Sequence, residues 1–230
     1  MLKAILFDLD NTLLDFSGFK RESAKAAAKA IREAGVKATE NELYDKIFAI
    51  YELRGIEYQK TFEELLSSYV LGPHLHEHAK QAAMIAYQKK KYALLKPRPK
   101  VIGILSSLRK KYKLGIVTDA PRKKAWQRLI LAGLDHCFDS VVCYEDTQEF
   151  KPSRQPFLKS LHVLGVNPSE ALFVGDNPER DIIGAKKTGI ATCLAKYGCQ
   201  NYSQEENVAD YTIEKFEEIL RIVKEIGEIG

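Results

Sequence analysis

Asp8 and Asp10 stand one residue apart at the end of the apolar run Ala4-Ile5-Leu6-Phe7. Two carboxylates so close, at the mouth of an apolar stretch, repel each other, and a divalent cation would relieve the repulsion. The same pair could instead make a turn and cap a following helix. A second polar tip, Thr118-Asp119-Ala120, follows the run Leu114–Val117. A hydroxyl and adjoining backbone N–H groups at such a tip can hold phosphate oxygens, or can cap a helix that opens at Pro121. Lys151-Pro152 offers a compact positive charge in a strand-to-helix loop. Gly175-Asp176-Asn177-Pro178-Glu179-Arg180-Asp181 brings two more acids. Asp176 ends an apolar run, and Asp181 falls in the opening turns of a helix that Pro178 can start. Glu179, Arg180 and Arg154 read as solvated.

Elements that could place these groups follow from the apolar pattern. Short continuous runs occur at 4–7, 114–117, 141–143, 171–174 and 190–194. Runs of this length predict strands buried on both faces of a parallel sheet. Between and after them lie helical stripes: Val101/Ile102/Leu105/Leu108, Trp126/Leu129/Ile130/Gly133, Phe157/Leu158/Leu161/Leu164 and Phe216/Ile219/Leu220/Val223. Strand–helix alternation predicts an α/β fold with a doubly wound, Rossmann-like parallel sheet. Ligands bind such sheets beyond the carboxyl ends of the strands, which is where the four polar tips lie.

Residues 16–97 break the alternation. Helical spacing recurs there without a strand, and Thr39/Glu42 and Thr61/Glu64 have the spacing of capping boxes. Pro97 and Pro99 mark the return to the sheet. The expected layout is an α/β core over 1–15 and 98–230, with an all-helical cap inserted at 16–97.

Composition narrows the function classes. The 230-residue chain is 45% apolar, enough for a buried core, and 35 basic against 31 acidic residues leave a net charge of +4. That imbalance is too slight to predict a nucleic-acid partner, and Lys89-Lys90-Lys91 reads as a solvated helix face. No run approaches the ~20 apolar residues that span a bilayer, and the first apolar run is short and ends in an acid. A cytoplasmic protein with no membrane partner is expected. Cys137/Cys143 and Cys193/Cys199 are each six apart, not a zinc spacing, and read as reduced thiols. His74, His76 and His78 read as surface or capping residues of a helix, since His76 would not share a face with the other two.

The four polar tips, in this order and over the whole chain, resemble the haloacid dehalogenase superfamily of hydrolases. That family carries an Asp-x-Asp-x-Thr strand end, a Thr or Ser strand end, a lysine, and a Gly-Asp-x-x-x-x-Asp loop. Here these are Asp8/Asp10/Thr12, Thr118, Lys151 and Gly175/Asp176/Asp181. The helical insert looks like the family's C1-type cap, hinged near 15–18 and 95–99. The resemblance implies a Mg²⁺-dependent phosphohydrolase acting on a small phosphorylated metabolite through an aspartyl-phosphate. Asp8 would be the nucleophile and Asp10 the general acid/base. Thr118, Asp119 and Lys151 would bind phosphate. Asp8, the Asp10 carbonyl and Asp176 would hold the metal, with Asp181 behind them. Asp119-Ala120 departs from the more usual Asn-Gly. A phosphomutase on the same core, and a non-catalytic binding protein of the same fold, are the alternatives. A dehalogenase would need neither Asp10 nor the acidic fourth motif, and nothing singles out Lys20 or Lys25 as the Schiff-base lysine of a phosphonate hydrolase. Phe16, Phe19, Arg21 and Arg54-Gly55 are candidates for reading the leaving group. No feature of the sequence assigns an oligomeric state.

Overall fold

The computed structural model describes residues 1–199 and 209–229. Apolar runs form the strands β1 (Ala4–Phe7), β2 (Lys113–Val117), β3 (Ser140–Val142), β4 (Ala171–Gly175) and β5 (Ala191–Ala195), followed by β6 (Tyr211–Ile213). All pair in parallel, in the order β3-β2-β1-β4-β5-β6. Every residue of β1 and β4 is buried, as a sheet covered on both faces requires. The chain winds from β1 out through β2 and β3, then resumes at β4 on the other side of β1. That reversal creates a topological switch point between β1 and β4. Phe7 lies level with Ile116 of β2 and Val174 of β4, so the three strands end at one edge.

The helices are α1 (Phe16–Glu33), α2 (Glu40–Arg54), α3 (Thr61–Ser67), α4 (Pro73–Leu94), α5 (Val101–Leu108), α6 (Arg122–Leu131), α7 (Tyr144–Thr147), α8 (Gln155–Leu164), α9 (Gly184–Thr188) and α10 (Ile219–Ile229). A π-helical turn, Pro178–Ile183, leads into α9. Alternate strand residues serve opposite faces. Leu6, Val117 and Phe173 pack with Phe157, Leu161 and Leu164 of α8 and Ala185 of α9. Phe7 meets Phe138 and Phe216, with ring centroids 6.4 and 6.0 Å away.

Two compact units result, Met1–Phe16 with Leu95–Gly230, and Ser17–Leu94. Within the first, the outgoing and returning segments pair: Arg98 N–H donates to Leu13 O at 2.9 Å, and Arg98 Nε–H to Asn11 O at 2.9 Å. The second unit is helical throughout. Ala24, Ala27, Ala28 and Ile31 of α1, Leu43, Ile47 and Tyr51 of α2, Leu65 and Leu66 of α3, and Ala79 and Ala83 of α4 are its core. Small alanine faces let helix backbones approach closely.

Several local expectations are corrected. The Thr39/Glu42 box forms in full, but Thr61 is the first residue of α3, and its hydroxyl donates back to Tyr58 O at 2.9 Å. A preceding turn therefore uses the group that was expected to cap. Thr118 and Asp119 do not cap α6, whose N-cap position is Pro121. Trp126 and Ile130 of α6 are exposed. Its buried face is Ala125, Arg128 and Leu129, because the aliphatic stem of Arg128 takes the place of an apolar residue. Ile102 and Leu220 likewise face outward while Ile104 and Ile222 are buried. Strand β6 was not expected. It is a three-residue edge element without a continuous apolar run.

Candidate active site at the carboxyl edge of the sheet

Asp8 leaves β1 fully engaged by the sheet, its N–H donating to Val174 O at 2.9 Å. Its side chain is buried and meets Lys151, whose Nζ donates to Asp8 Oδ1 at 2.6 Å and to Val117 O at 3.1 Å. The same Nζ lies 2.7 Å from Asp181 Oδ1. Asp176, at the end of β4, completes the group: Asp8, Asp176 and Asp181 each present a carboxylate oxygen within 4.8 Å of the others. Gly175 makes this possible, since a Cβ there would sit 2.5–2.6 Å from the Asp181 side chain. The π-helical turn is started by Asn177, which caps Arg180 N–H at 2.9 Å, while Asn177 N–H donates to Asp181 Oδ2 at 3.0 Å.

Thr118 is buried at the tip of β2, its N–H bonded to Val142 O, and its hydroxyl accepts from Ala120 N–H at 3.2 Å. The Asp119 carboxylate accepts from Lys151 N–H at 2.9 Å and pairs with Arg180 at 3.3 Å. It ties the lysine loop to the fourth-motif loop. A carboxylate repels phosphate, so what Asp119 can offer a phosphoryl oxygen is its backbone. Arg180, expected in solvent, is thus part of the loop scaffold.

Asp10 is placed differently. Its Oδ2 accepts from Arg128 Nη1 at 2.5 Å, and Arg128 is 1% exposed. The guanidinium also stacks over the Phe16 ring, 4.5 Å from its centroid. Neither contact was anticipated. The only trace in the sequence is an arginine at helical spacing between Ala125 and Ala132 on an otherwise apolar stripe. Tyr197 and Gly198 were also missed. Tyr197 Oη donates to Thr12 O at 3.1 Å, and Gly198 packs directly on Asn11 O, with no room for a Cβ.

The charges in this cluster do not balance. Three buried carboxylates, Asp8, Asp176 and Asp181, face one buried ammonium. Burial pushes the Asp8 carboxyl up to about 7, with Lys151 opposing and Asp181 and Asp10 adding to the rise. Burial and the neighbouring Asp8 and Asp181 push Asp176 up to about 8. Burial works against the Lys151 cation, but Asp181 and Asp8 outweigh it and hold its pKa above the ordinary lysine range. Hard oxygen donors with surplus negative charge in a confined space suit a divalent cation such as Mg²⁺. Asp181 is closer to that position than expected, though Lys151 and Asn177 N–H already engage both of its oxygens.

No other group of His, Cys, Asp and Glu among the described residues offers three converging ligand atoms. The rings of His74 and His78 are 6.5 Å apart, on α4. All four cysteines are free. Arg154 is exposed, and Arg54 pairs with Glu64 at 3.3 Å. No helix among the described residues is long and apolar enough to cross a membrane.

Known proteins share this architecture. Residues 5–195 match the model of the family described as haloacid dehalogenase-like hydrolase. A protein of Methanopyrus kandleri named glyceraldehyde 3-phosphate phosphatase is 35% identical over 99% of this chain and 100% of its own. A Methanocaldococcus jannaschii protein of the same name is 33% identical over 98% of this chain and 99% of its own. The crystal structure of a HAD phosphatase from Thermococcus onnurineus is 27% identical, with a TM-score of 0.70 over 96% of this chain and 98% of that one. The chain therefore belongs to the haloacid dehalogenase-like hydrolase family and is an enzyme of its phosphatase kind.

Proposed function

We propose that the chain is a Mg²⁺-dependent phosphatase of small phosphorylated metabolites that works through an aspartyl-phosphate on Asp8. Three-carbon sugar phosphates, glyceraldehyde 3-phosphate first, are the substrate class to which the names of the relatives point. The observation that carries the reading is the buried Asp8–Lys151–Asp181 contact beside Asp176. It combines a restrained carboxylate, a fixed cation and unbalanced negative charge.

Asp8 attacks phosphorus and the leaving oxygen departs, so one difficult displacement becomes two easier ones. Lys151 holds Asp8 Oδ1, orients the carboxylate for in-line attack and neutralises charge on the transferring group. The Thr118 hydroxyl and neighbouring backbone N–H groups hold phosphoryl oxygens. Asp10 gives its proton to the leaving oxygen, then accepts one from the water that cleaves the aspartyl-phosphate. Asp8, Asp176 and the Asp10 carbonyl would hold Mg²⁺, with Asp181 in support, and the ion would offset phosphoryl charge. Four free thiols favour a reducing compartment and hence the cytoplasm.

The test is a panel of phosphate esters with and without Mg²⁺: triose and hexose phosphates, phosphoglycolate, nucleotides, pyrophosphate and 4-nitrophenyl phosphate. Mg²⁺-dependent phosphate release, with a triose phosphate giving the highest kcat/KM, is expected. Turnover that survives EDTA would overturn the metal assignment. Phosphate retained in an isomerised product would identify a mutase instead.

A further inference from the structure

We infer that Arg128 is the positioning residue that fixes Asp10 for proton transfer, an inference that rests on the proposed phosphatase reading. Arg128 heads the largest fully buried side chains. A guanidinium does not lose its proton in a protein, so its removal from water must be offset by acceptor groups. One of these is Asp10, 118 positions away in sequence, whose Oδ2 can accept from Nη1 whether or not the other oxygen carries a proton. Asp10 keeps 22% of its side chain exposed while Arg128 keeps 1%. The rigid partner is therefore inside, and the working carboxylate is partly exposed with its Oδ1 buried.

Structural filling does not account for this choice. A leucine or methionine would complete the apolar face of α6 with no buried charge to compensate. The arginine adds direction. Its planar fork takes one defined carboxylate oxygen, and the Phe16 ring under the guanidinium fixes the plane of the fork. Holding Oδ2 fixes where the other oxygen of Asp10 lies. The segment that ends in α6 also begins at the Thr118 tip, so one stretch of chain sets both the phosphoryl cradle and the orientation of the proton carrier. A carboxylate left to rotate at a partly exposed rim would spend much of its time in unproductive rotamers.

Arg128→Met, Arg128→Lys, Phe16→Leu, Asp10→Asn and the double variant Asp10→Asn/Arg128→Met are compared with wild type on 4-nitrophenyl phosphate and phenyl phosphate with Mg²⁺. 4-Nitrophenolate leaves with little help from a proton, whereas phenolate needs it. Arg128→Met is expected to lower kcat on phenyl phosphate roughly 10- to 100-fold, a fraction of what a general acid supplies. The loss on 4-nitrophenyl phosphate should be smaller, and KM should change little. Arg128→Lys should recover part of kcat. In the Asp10→Asn background, Arg128→Met should cost nothing further, because the two act as one unit. Equal losses on both esters, or additive losses in the double variant, would overturn the inference. If Arg128→Met does not fold, Arg128→Lys and Phe16→Leu carry the same test, with melting temperature as the control. A wild type that releases no phosphate would sink the phosphatase reading. An active wild type, with a dead Asp8→Asn and no leaving-group pattern at Arg128, would sink this inference alone.

Discussion

The two units solve opposite problems. In the sheet unit, Asp8, Arg128, Lys151, Asp176 and Asp181 are all buried, and apart from Arg128 they crowd the ends of β1 and β4 and the loops beside them. In the helical unit Lys20 is the one buried charge among the described residues. It is settled there, donating to Ile56 O at 2.6 Å with the Tyr51 ring centroid 4.7 Å away. Other charges of that unit pair at its surface, as in Arg32–Glu40 and Lys80–Glu63. Alanine packing stabilises the helical unit with little electrostatic tension. The sheet edge keeps tension in place, because the carboxylates that repel in the resting protein are the ones that can hold a cation, and Lys151 beside them can neutralise charge on a phosphoryl group.

Substitutions should separate the two regimes. The largest effect is expected from Asp8→Asn, which should reduce kcat by at least about 10⁴-fold, since deleting a nucleophile can cost about 10⁶-fold. Its melting temperature should stay level or rise in EDTA, because a repelling charge is gone. A variant that turns over at the wild-type rate would remove Asp8 from the mechanism.

Lys151→Met should cost both activity and stability. Without the ammonium, Asp8 and Asp181 face each other uncompensated, and breaking a buried pair costs about 3–5 kcal/mol. At about 2–4 °C per kcal/mol for a chain of this size, calorimetry should show a drop of roughly ten degrees, partly restored by lowering the pH. A loss of activity without that drop would mean that Lys151 does not hold the two carboxylates together.

The pH dependence follows from Asp8 and Asp176. Both carboxyls have folded-state pKa values above the unfolded value of 3.8, at about 7 and about 8. The folded metal-free protein thus binds more protons than the unfolded chain between about pH 4 and 8, and stability falls as pH rises through that window. The penalty is absent below pH 4 and complete above pH 8. Asp176→Asn should therefore raise the melting temperature at pH 8 in EDTA by a few degrees, on the order of 1–2 kcal/mol. The same variant should lose most of the stabilisation that Mg²⁺ gives wild type. A wild-type melting temperature indifferent to pH between 5 and 8 in EDTA would argue against the buried surplus of charge.

The smallest effect belongs to the helical unit. Thr39→Ala removes the capping box at the start of α2, at a cost of about 1 kcal/mol. It should leave hydrolysis of 4-nitrophenyl phosphate unchanged. A large change in kcat from so remote a cap would blur the contrast between the two units.

Much of this protein was legible in one dimension. Runs such as Ala4–Phe7 and Ala171–Val174 have no polar face, so they had to be buried strands. The acids that terminate them had to lie at one sheet edge, because parallel strands all point the same way. The resemblance of the ordered polar tips singled out Asp8, Asp10, Thr118, Lys151 and Asp176 as a candidate set, and the helical nature of the insert follows from local pattern alone. Contacts between groups far apart in sequence were decided only by the tertiary structure. The pairing of Asp10 with Arg128 depends on which face α6 turns inward, and a 3.6-residue period could not choose between Trp126 and an arginine with a long apolar stem. The tie from Asp119 to Lys151 and Arg180 depends on how close two loops from different strands come. The approach of Asp181 depends on a glycine that must lack a Cβ. Residue types announce which charges a chain owns, but burial and distance set how strongly those charges act, and both exist only once the sheet is assembled.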